Sequence, residues 1–159
     1  MQAAVLCLGK LREKHWRQAA DEYLKRLGRY GRVEEIELND EPEPGEESEA
    51  LSRQVMDREA ARLLGRLKQG DYVIALCIDG KQWDSVDFAK HIAKLPQRGY
   101  QRIVFMIGGS LGLGEAAVSR ADEKMSLSKM TFPHQLARVL LLEQIYRAAK
   151  ISAGERYHK

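Results

Sequence analysis

The apolar run Tyr72-Val73-Ile74-Ala75-Leu76-Cys77-Ile78 decides the fold class. Both alternating sets of its side chains are apolar, which is typical of a central strand buried on both faces, and we expect the Asp79-Gly80 turn to close it. The run Arg102-Ile103-Val104-Phe105-Met106-Ile107 has the same character and leads into paired glycines. Helical patterns flank both runs, so the sequence predicts an α/β protein with a largely parallel sheet and helices on both faces.

The rest of the chain continues this alternation of strands and helices. We expect further strands at 3–8, 36–38 and 125–127, and helices at about 16–27, 47–67, 85–94, 114–121 and 133–151. In the strand at 36–38, the neighbouring residues Glu35 and Glu37 predict one face in contact with water. Residues 40–46 contain two prolines and a glycine and are expected to form a loop. The length of 159 residues fits a single domain over 1–159.

Charge is distributed unevenly along the chain, although the net charge is only +3. Residues 33–50 carry nine acidic side chains and no basic one, whereas residues 1–32 carry eight basic side chains and three acidic ones. Once folded, basic ends around an acidic segment can form a phosphate-binding surface. The alternative, which composition alone favours, is that these charges only solvate helix faces.

Several classes of protein are disfavoured by composition. No apolar run approaches the ~18 residues of a membrane helix, and the first residues lack a basic segment of the kind that opens a signal peptide. Cys7 and Cys77 lie within strand-like runs, where we expect reduced and buried thiols. No Cys/His cluster has the spacing of a structural zinc site. We therefore expect a cytoplasmic protein that needs neither a metal nor a membrane.

The candidate ligand site lies beyond the carboxyl ends of the strands, where parallel sheets usually bind ligands. Three segments are expected to meet there, 76–80, 107–114 and 127–134. The second holds four glycines within residues 108–114, which allow a ligand to approach the main chain closely, although tight turns alone would explain them. Residues 112–117 match the G-x-G-x-x-A fingerprint, but they come late in the chain and no acidic residue follows at the required place. We reject a nicotinamide-binding oxidoreductase on this ground.

The C-terminal part of the chain carries most of the polar candidates. The segment 126–134 contains two serines, a threonine and His134, any of which can serve only to begin the following helix. Glu143, Arg147 and Lys150 share one helix face, either as a solvated ion pair or as part of a site. The terminal residues Tyr157-His158-Lys159 combine an aromatic ring, an imidazole and a cation, a combination suited to stacking on a base and contacting phosphate.

Four motifs in this order resemble a family signature. They are Ile107-Gly108-Gly109-Ser110-Leu111-Gly112-Leu113, Ser126-Leu127-Ser128-Lys129-Met130-Thr131-Phe132-Pro133-His134, Leu141-Leu142-Glu143-Gln144-Ile145-Tyr146-Arg147 and Tyr157-His158-Lys159. The sequence is similar to the bacterial ribosomal RNA large subunit methyltransferase H family of the SPOUT superfamily. The resemblance implies a C-terminal deep trefoil knot, a homodimer, and S-adenosyl-L-methionine as cofactor. It also implies methylation of N3 of a pseudouridine in 23S rRNA, position 1915 in the customary rRNA numbering, on assembled 70S ribosomes.

The resemblance also implies site residues. The expected cofactor pocket comprises Leu76, Gly108, Leu127, Ser128, Lys129, Met130, Thr131 and Phe132. We hypothesise that His158 and Tyr157 orient or deprotonate the target base, while Arg147 binds phosphate or the developing anion. Some relatives have arginine at the position of Lys159 and Pro-Glu in place of Ser110-Leu111, so a bidentate contact or an acidic role at these places does not carry over.

Two other functions are compatible with the same residues. One is a SPOUT methyltransferase acting on another RNA, such as tRNA, although the chain has no additional RNA-binding domain. The other is a non-catalytic RNA-binding or ribosome-associated factor that keeps the fold without the chemistry. The glycine segment and residues 126–134 argue against the second, and failure to bind S-adenosyl-L-methionine would favour it.

Overall fold

The computed structural model describes residues 1–158, in which strands and helices alternate as the sequence predicts. The strands are β1 (Gln2–Leu8), β2 (Arg32–Leu38), β3 (Asp71–Gln82), β4 (Arg102–Ile107) and β5 (Glu123–Ser126). The helices are α1 (Lys14–Leu27), α2 (Glu49–Leu64), α3 (Ser85–Lys94), α4 (Glu115–Arg120) and α5 (His134–Ser152). Residues 40–46 lie outside these elements, as expected for a segment with two prolines and a glycine.

The strands form one parallel sheet in the order β2-β1-β4-β3-β5. β4 lies between β1 and β3, and β3 lies between β4 and β5, so both fully apolar runs are interior strands as predicted. Cys7 pairs with Ile107 at the carboxyl end of the sheet. The connections that follow β1 and β4 therefore emerge side by side at this edge.

Helices cover both faces of the sheet, which confirms the predicted α/β class. Val5 and Phe105 point into one apolar cluster, which includes residues of α1, α3 and α5. Leu6 and Val104, their neighbours in sequence, point into the other cluster, which includes residues of α2 and α4. Side chains that alternate along each strand thus pack into two separate cores, one on each face of the sheet. The trefoil knot that the resemblance implies stays a prediction.

The expected turn at Asp79-Gly80 is wrong, because β3 continues past it. The pairing of β3 with β5 shifts in register between Leu76 and Lys81, and the intervening residues form an irregular segment. A Cβ atom at Gly80 would lie 2.5 Å from the carbonyl carbon of Met125, so only glycine allows this approach of the two backbones. Asp79 pairs with Lys124 of β5 at 2.6 Å. Pairing with β5 thus overrides the local preference of Asp-Gly for a turn.

The prediction that one face of β2 is in contact with water is also wrong, because cations of α1 and α5 pair with the carboxylates on that face. The guanidinium of Arg138 in α5 is buried, with its side chain 1% exposed, and Nη1 donates to Glu37 Oε2 at 2.8 Å. Its Nη2 donates to the carbonyl of Gly9 at 2.9 Å. Arg17 of α1 donates to Glu35, whose side chain is 4% exposed, at 2.5 Å. Both carboxylates are therefore paired with cations, the Glu35 carboxylate inside the protein and the Glu37 carboxylate at its margin, where the side chain is 25% exposed.

Replacing Arg138 with methionine removes this link while keeping much of the side-chain volume. We expect the free energy of unfolding to fall by about 3–5 kcal/mol, because the carboxylates of Glu35 and Glu37 lose a buried partner. Urea denaturation at pH 7 measures the change. The control is Lys90→Met, which breaks an exposed pair with Asp87 at 3.3 Å and should change stability by no more than about 0.5 kcal/mol. Equal losses in the two variants would contradict the role given to Arg138.

Candidate active site

A cavity of about 480 Å³ opens at the carboxyl ends of β3, β4 and β5. Its walls are the irregular segment of β3, the glycine loop (residues 108–114, after β4), the segment 125–133 and the first turn of α5. The three segments that the sequence places at this edge therefore meet around one space. Parallel sheets commonly bind ligands at such an edge.

Most of the residues expected to hold a cofactor line this cavity. They are Leu76, Gly108, Leu127, Ser128, Met130, Thr131 and Phe132. Lys129 is exposed on the same loop and is not among the lining residues. Cys77 and Ile78 belong to the segment 76–80 that the sequence places at this edge, but they were not among the expected cofactor residues. They also contribute to the wall, because β3 becomes irregular there. Cys77 is therefore only partly buried, and the expectation of a buried thiol is wrong for it. Ile78 and Met130, 66% and 75% exposed, are large apolar side chains beside the opening.

The glycine loop is folded tightly on itself. The amide of Gly112 donates to the carbonyl of Gly109 at 3.0 Å, and Gly112 has a φ of +90°, which favours glycine. A Cβ atom at Gly108 would lie 2.4 Å from the carbonyl carbon of Gly112. The loop therefore requires glycine for its own conformation, and it presents main chain to the cavity.

A buried carboxyl group supports the glycine loop from below. The Glu59 side chain of α2 lies with Oε2 3.3 Å from the position of a Cβ at Gly109, and Glu59 is only 3% exposed. Its Oε2 accepts a hydrogen bond from the amide of Glu41 at 3.2 Å. This contact ties the acidic loop (residues 40–46, between β2 and α2) to α2. Burial raises the pKa of this carboxyl group. The sequence signal for Glu59 is its place beside Met56 and Leu63 on the apolar stripe of α2.

Hydrogen bonds within the loop after β5 hold its conformation. Ser126 Oγ donates to the carbonyl of Ser128 at 2.9 Å, and Ser128 Oγ accepts from the amide of Met130 at 3.0 Å. Pro133 occupies the N-cap position of α5, and no side-chain hydrogen bond caps this helix within residues 1–158. The serines therefore shape the cavity wall, and the alternative that Ser or Thr caps α5 does not hold.

The lining of the cavity carries little charge. Among the lining residues in the described part of the chain there is no Asp, Glu, Lys or Arg. Burial, together with the nearby charge of Arg138, lowers the pKa of His134, so its imidazole is neutral at pH 7. Burial also raises the pKa of Cys77, which stays a thiol at this pH. Such a site accepts a ligand that brings its own positive charge without repelling it.

The second group of candidate residues lies together around Glu143. Arg147 donates to Glu143 Oε1 at 2.5 Å, and the hydroxyl of Tyr157 donates to the same oxygen at 3.2 Å. The guanidinium lies 4.7 Å from the centroid of the Tyr157 ring, and Nη1 lies 3.3 Å from His158 Nδ1. The Tyr157 ring packs edge-on against Tyr146 at 5.0 Å. Burial and the Glu143 carboxylate raise the pKa of Tyr157 to about 12.

The residues that line the cavity and the cluster around Glu143 are separate within one chain. In residues 1–158, none of Arg147, Tyr157 and His158 lines the 480 Å³ cavity. A second cavity of about 420 Å³ lies between α3, the loop after β5 and α5, and its lining includes Gln144. Gln144 donates to Glu143 at 2.7 Å, so this second cavity adjoins the Glu143 cluster. Lys150, predicted on the same helix face, pairs with Glu155 instead.

Within residues 1–158, no group of three or more His, Cys, Asp or Glu side chains is arranged to hold a metal ion. In the same part of the chain, none of the helices has the length and apolar character needed to cross a membrane.

Comparison with known proteins defines the class of this fold and site. The family model described as "Predicted SPOUT methyltransferase" matches residues 1–158. A solved structure, "The structure of a probable methylase family protein from Haemophilus influenzae Rd KW20", shares the fold with a TM-score of 0.55 at 12% identity. That match covers 99% of this chain and 70% of the other. The class is therefore that of the SPOUT methyltransferases.

Curated relatives define the family within this class. The chain is 48% identical to ribosomal RNA large subunit methyltransferase H of Streptococcus thermophilus (strain CNRZ 1066). It is 49% identical to the protein of the same name from Clostridium novyi (strain NT). Both matches extend over 159 residues and cover 100% of each chain. The chain belongs to the ribosomal RNA large subunit methyltransferase H family, as its motifs indicate.

The glycine loop gives a direct test of the cavity. We expect Gly108→Ala to weaken the binding of S-adenosyl-L-methionine at least ~10-fold, a loss of ~1.4 kcal/mol, because the added methyl group forces the loop out of place. Isothermal titration calorimetry measures the affinity. Gly45→Ala is the matched control, since a Cβ at Gly45 has no neighbour within 4 Å in the described structure. Unchanged affinity in the Gly108 variant would show that the ligand binds elsewhere.

Proposed function

We propose that this protein transfers a methyl group from S-adenosyl-L-methionine to N3 of pseudouridine 1915 in 23S rRNA on assembled ribosomes. It acts in the cytoplasm as a homodimer in which each chain is a single SPOUT domain, residues 1–159. One observation carries the proposal: seven of the eight residues transferred from the family as cofactor ligands line a single cavity. The names of the relatives at 48–49% identity support an rRNA substrate.

The residues present fit the cofactor. A cavity of about 480 Å³ is within the usual range for small ligands, roughly 300–1,000 Å³. Leu76 and Phe132 offer apolar walls, while the main chain at Gly108 and 127–131 offers hydrogen-bonding groups. S-adenosyl-L-methionine supplies a methyl group on a positively charged sulfur. Neutral His134 does not repel that charge, and an in-line displacement chiefly requires that the two reactants be held in the right geometry.

The tail residues supply what the target base requires. N3 of pseudouridine carries a proton, which must leave before or during methylation. Tyr157, with a pKa of about 12, is protonated at pH 7 and can donate a hydrogen bond to the base. His158 then takes the N3 proton on its imidazole, and Arg147 binds phosphate or the developing anion. Because this cluster lies outside the cofactor cavity of its own chain, a second subunit must bring its tail to that cavity.

The substrate is tested with radiolabelled S-adenosyl-L-methionine and four RNA preparations. They are 70S ribosomes, free 23S rRNA, ribosomes lacking the pseudouridine, and tRNA. We expect label only in the 70S ribosomes that contain the pseudouridine. Label in free 23S rRNA would overturn the requirement for assembled ribosomes, and label in tRNA would favour the alternative RNA substrate. Cofactor binding without transfer to any of them would favour a non-catalytic factor.

His158→Ala tests the role of the tail in proton transfer. We expect turnover to fall by about 10²-fold or more, while the affinity for S-adenosyl-L-methionine stays within about 2-fold, because the imidazole is outside the cofactor cavity. Added imidazole should restore part of the turnover if the lost group is a proton acceptor. Wild-type turnover in this variant would reject the assignment.

Mixing variants tests whether the two parts of the site come from different subunits. His158→Ala and Gly108→Ala each have little activity alone when the cofactor concentration is too low to fill the Gly108→Ala cavity. Under that condition they should recover about a quarter of wild-type activity when their subunits are exchanged at equal concentrations. The reason is that half of the dimers are then mixed, and each mixed dimer has one intact cavity facing one intact tail. If exchange of subunits is verified by native mass spectrometry and activity does not return, the tail acts on its own chain.

A further inference from the structure

The loop between β1 and α1, together with the first residue of α1, presents three exposed basic side chains. Lys10, Arg12 and Lys14 are exposed, and within residues 1–158 none of them has an acidic partner within 4.0 Å. We propose that this basic loop (residues 10–14) binds the phosphate backbone of the RNA substrate beside the cofactor cavity. The inference rests on the proposed rRNA substrate and names the surface that holds it.

The basic loop lies at the edge of the sheet where the cavity opens. β1 and β4 are neighbours, and Cys7 pairs with Ile107 immediately before the glycine loop. The carbonyl of Gly9 accepts a hydrogen bond from Arg138, one turn of α5 beyond His134 in the cavity wall. A nucleotide at the cavity therefore has its flanking phosphates close to this loop.

Two contacts anchor the first half of the loop, so Lys10 and Arg12 are presented from a fixed backbone. The amide of Gly9 donates to the carbonyl of Leu38 at 2.8 Å. Leu11 is buried, and its amide donates to Glu37 Oε2 at 2.9 Å. With Leu11 held inward, its neighbours Lys10 and Arg12 face solvent. A preorganised loop loses less conformational entropy when it binds.

Several arginines elsewhere in the fold are neutralised. Arg17 pairs with Asp21, Arg62 with Glu41 and Arg102 with Asp71. Exposed cations at the opposite edge of the sheet, such as Lys68 and Arg98, resemble the basic loop in having no acidic partner within 4.0 Å in the described residues. Its place beside the cavity is what sets the basic loop apart. Free positive charge of the kind found at 10–14 attracts phosphate, and each contact releases a counterion. Lys129, exposed on the loop after β5 between the lining residues Ser128 and Met130, adds a further cation near the cavity.

Acidic groups limit where the RNA backbone can lie. Glu13 is exposed within the basic loop, and Asp40 Oδ2 lies 3.2 Å from the position of a Cβ at Gly9. Asp40 belongs to the acidic loop, which Arg62 and Glu59 tie to α2. Phosphate is repelled from that side. The RNA strand therefore leaves the cavity over the side of residues 10–14 that faces away from Asp40.

A matched pair of triple variants tests the surface. Lys10→Ala/Arg12→Ala/Lys14→Ala removes the basic loop, and Lys68→Ala/Lys94→Ala/Arg98→Ala removes the same charge before β3 and β4, at the opposite edge of the sheet. All six side chains are exposed. Binding to 70S ribosomes is measured by filter retention at several KCl concentrations, and methyl transfer is measured at increasing ribosome concentrations.

We expect the loop variant to bind 70S ribosomes about 10–100-fold more weakly than the wild type and the control variant to stay within about 2-fold. The slope of log Kd against log salt should fall by about 2–3 in the loop variant, roughly one for each lost phosphate contact. KM for ribosomes should rise while kcat and the affinity for S-adenosyl-L-methionine remain unchanged. If the triple variant is unstable, Arg12→Ala alone should show the same changes in binding, salt dependence and KM, each of smaller magnitude.

The outcomes separate this inference from the proposed function. Equal weakening in both triple variants would mean that net charge and not the basic loop matters, which overturns the inference. If the wild type methylates 23S rRNA and the loop variant binds 70S ribosomes as tightly as the wild type, the proposed function stands and the surface is rejected. Loop-dependent binding to 70S ribosomes without methylation of any rRNA would support the surface and reject the proposed reaction.

Discussion

The guanidinium of Arg138 joins the C-terminal helix to the first strand–helix connection, and the cavity depends on this contact. Removing the guanidinium of Arg138 and the carboxylate of Glu35 from water is costly unless each charge finds a partner. Glu37 and the carbonyl of Gly9 bind Arg138 directly, while Arg17 pairs with Glu35. Because the first turn of α5 forms part of the cavity wall, the same contact fixes the distance between that wall and the sheet.

Main-chain groups and apolar side chains shape the cavity, whereas the charged candidates lie around it. The glycine loop closes on itself through Gly109 and Gly112, and Glu59 fills the space beneath. Arg147 and His158 form their own cluster with Glu143 further along α5. A pocket of low charge suits a cationic ligand, and a cluster of polar groups suits a nucleic acid base. The protein keeps these two environments apart within each chain.

Local patterns in the sequence predict most of this architecture, and contacts between distant residues account for the errors. The apolar strands and the glycine loop are predictable because each pattern lies in one short segment. The turn at Asp79-Gly80 was the wrong prediction because pairing with Met125, distant in sequence, extends β3. Glu37 looks like a residue on a wet strand face, yet its partner Arg138 lies 101 positions away. The tail hypothesis came from family motifs and remains a prediction.

The order in which the chain is synthesised has a consequence for when the cavity can exist. β5 and α5 are made after the other strands and helices of this sheet, and both the loop between them and the residues His134 and Ala137 form walls of the cavity. A nascent chain that ends before α5 can form the interior strands but not the binding site. Since a ligand stabilises only the state that binds it, the cofactor can protect against unfolding and proteolysis only a chain that already includes α5.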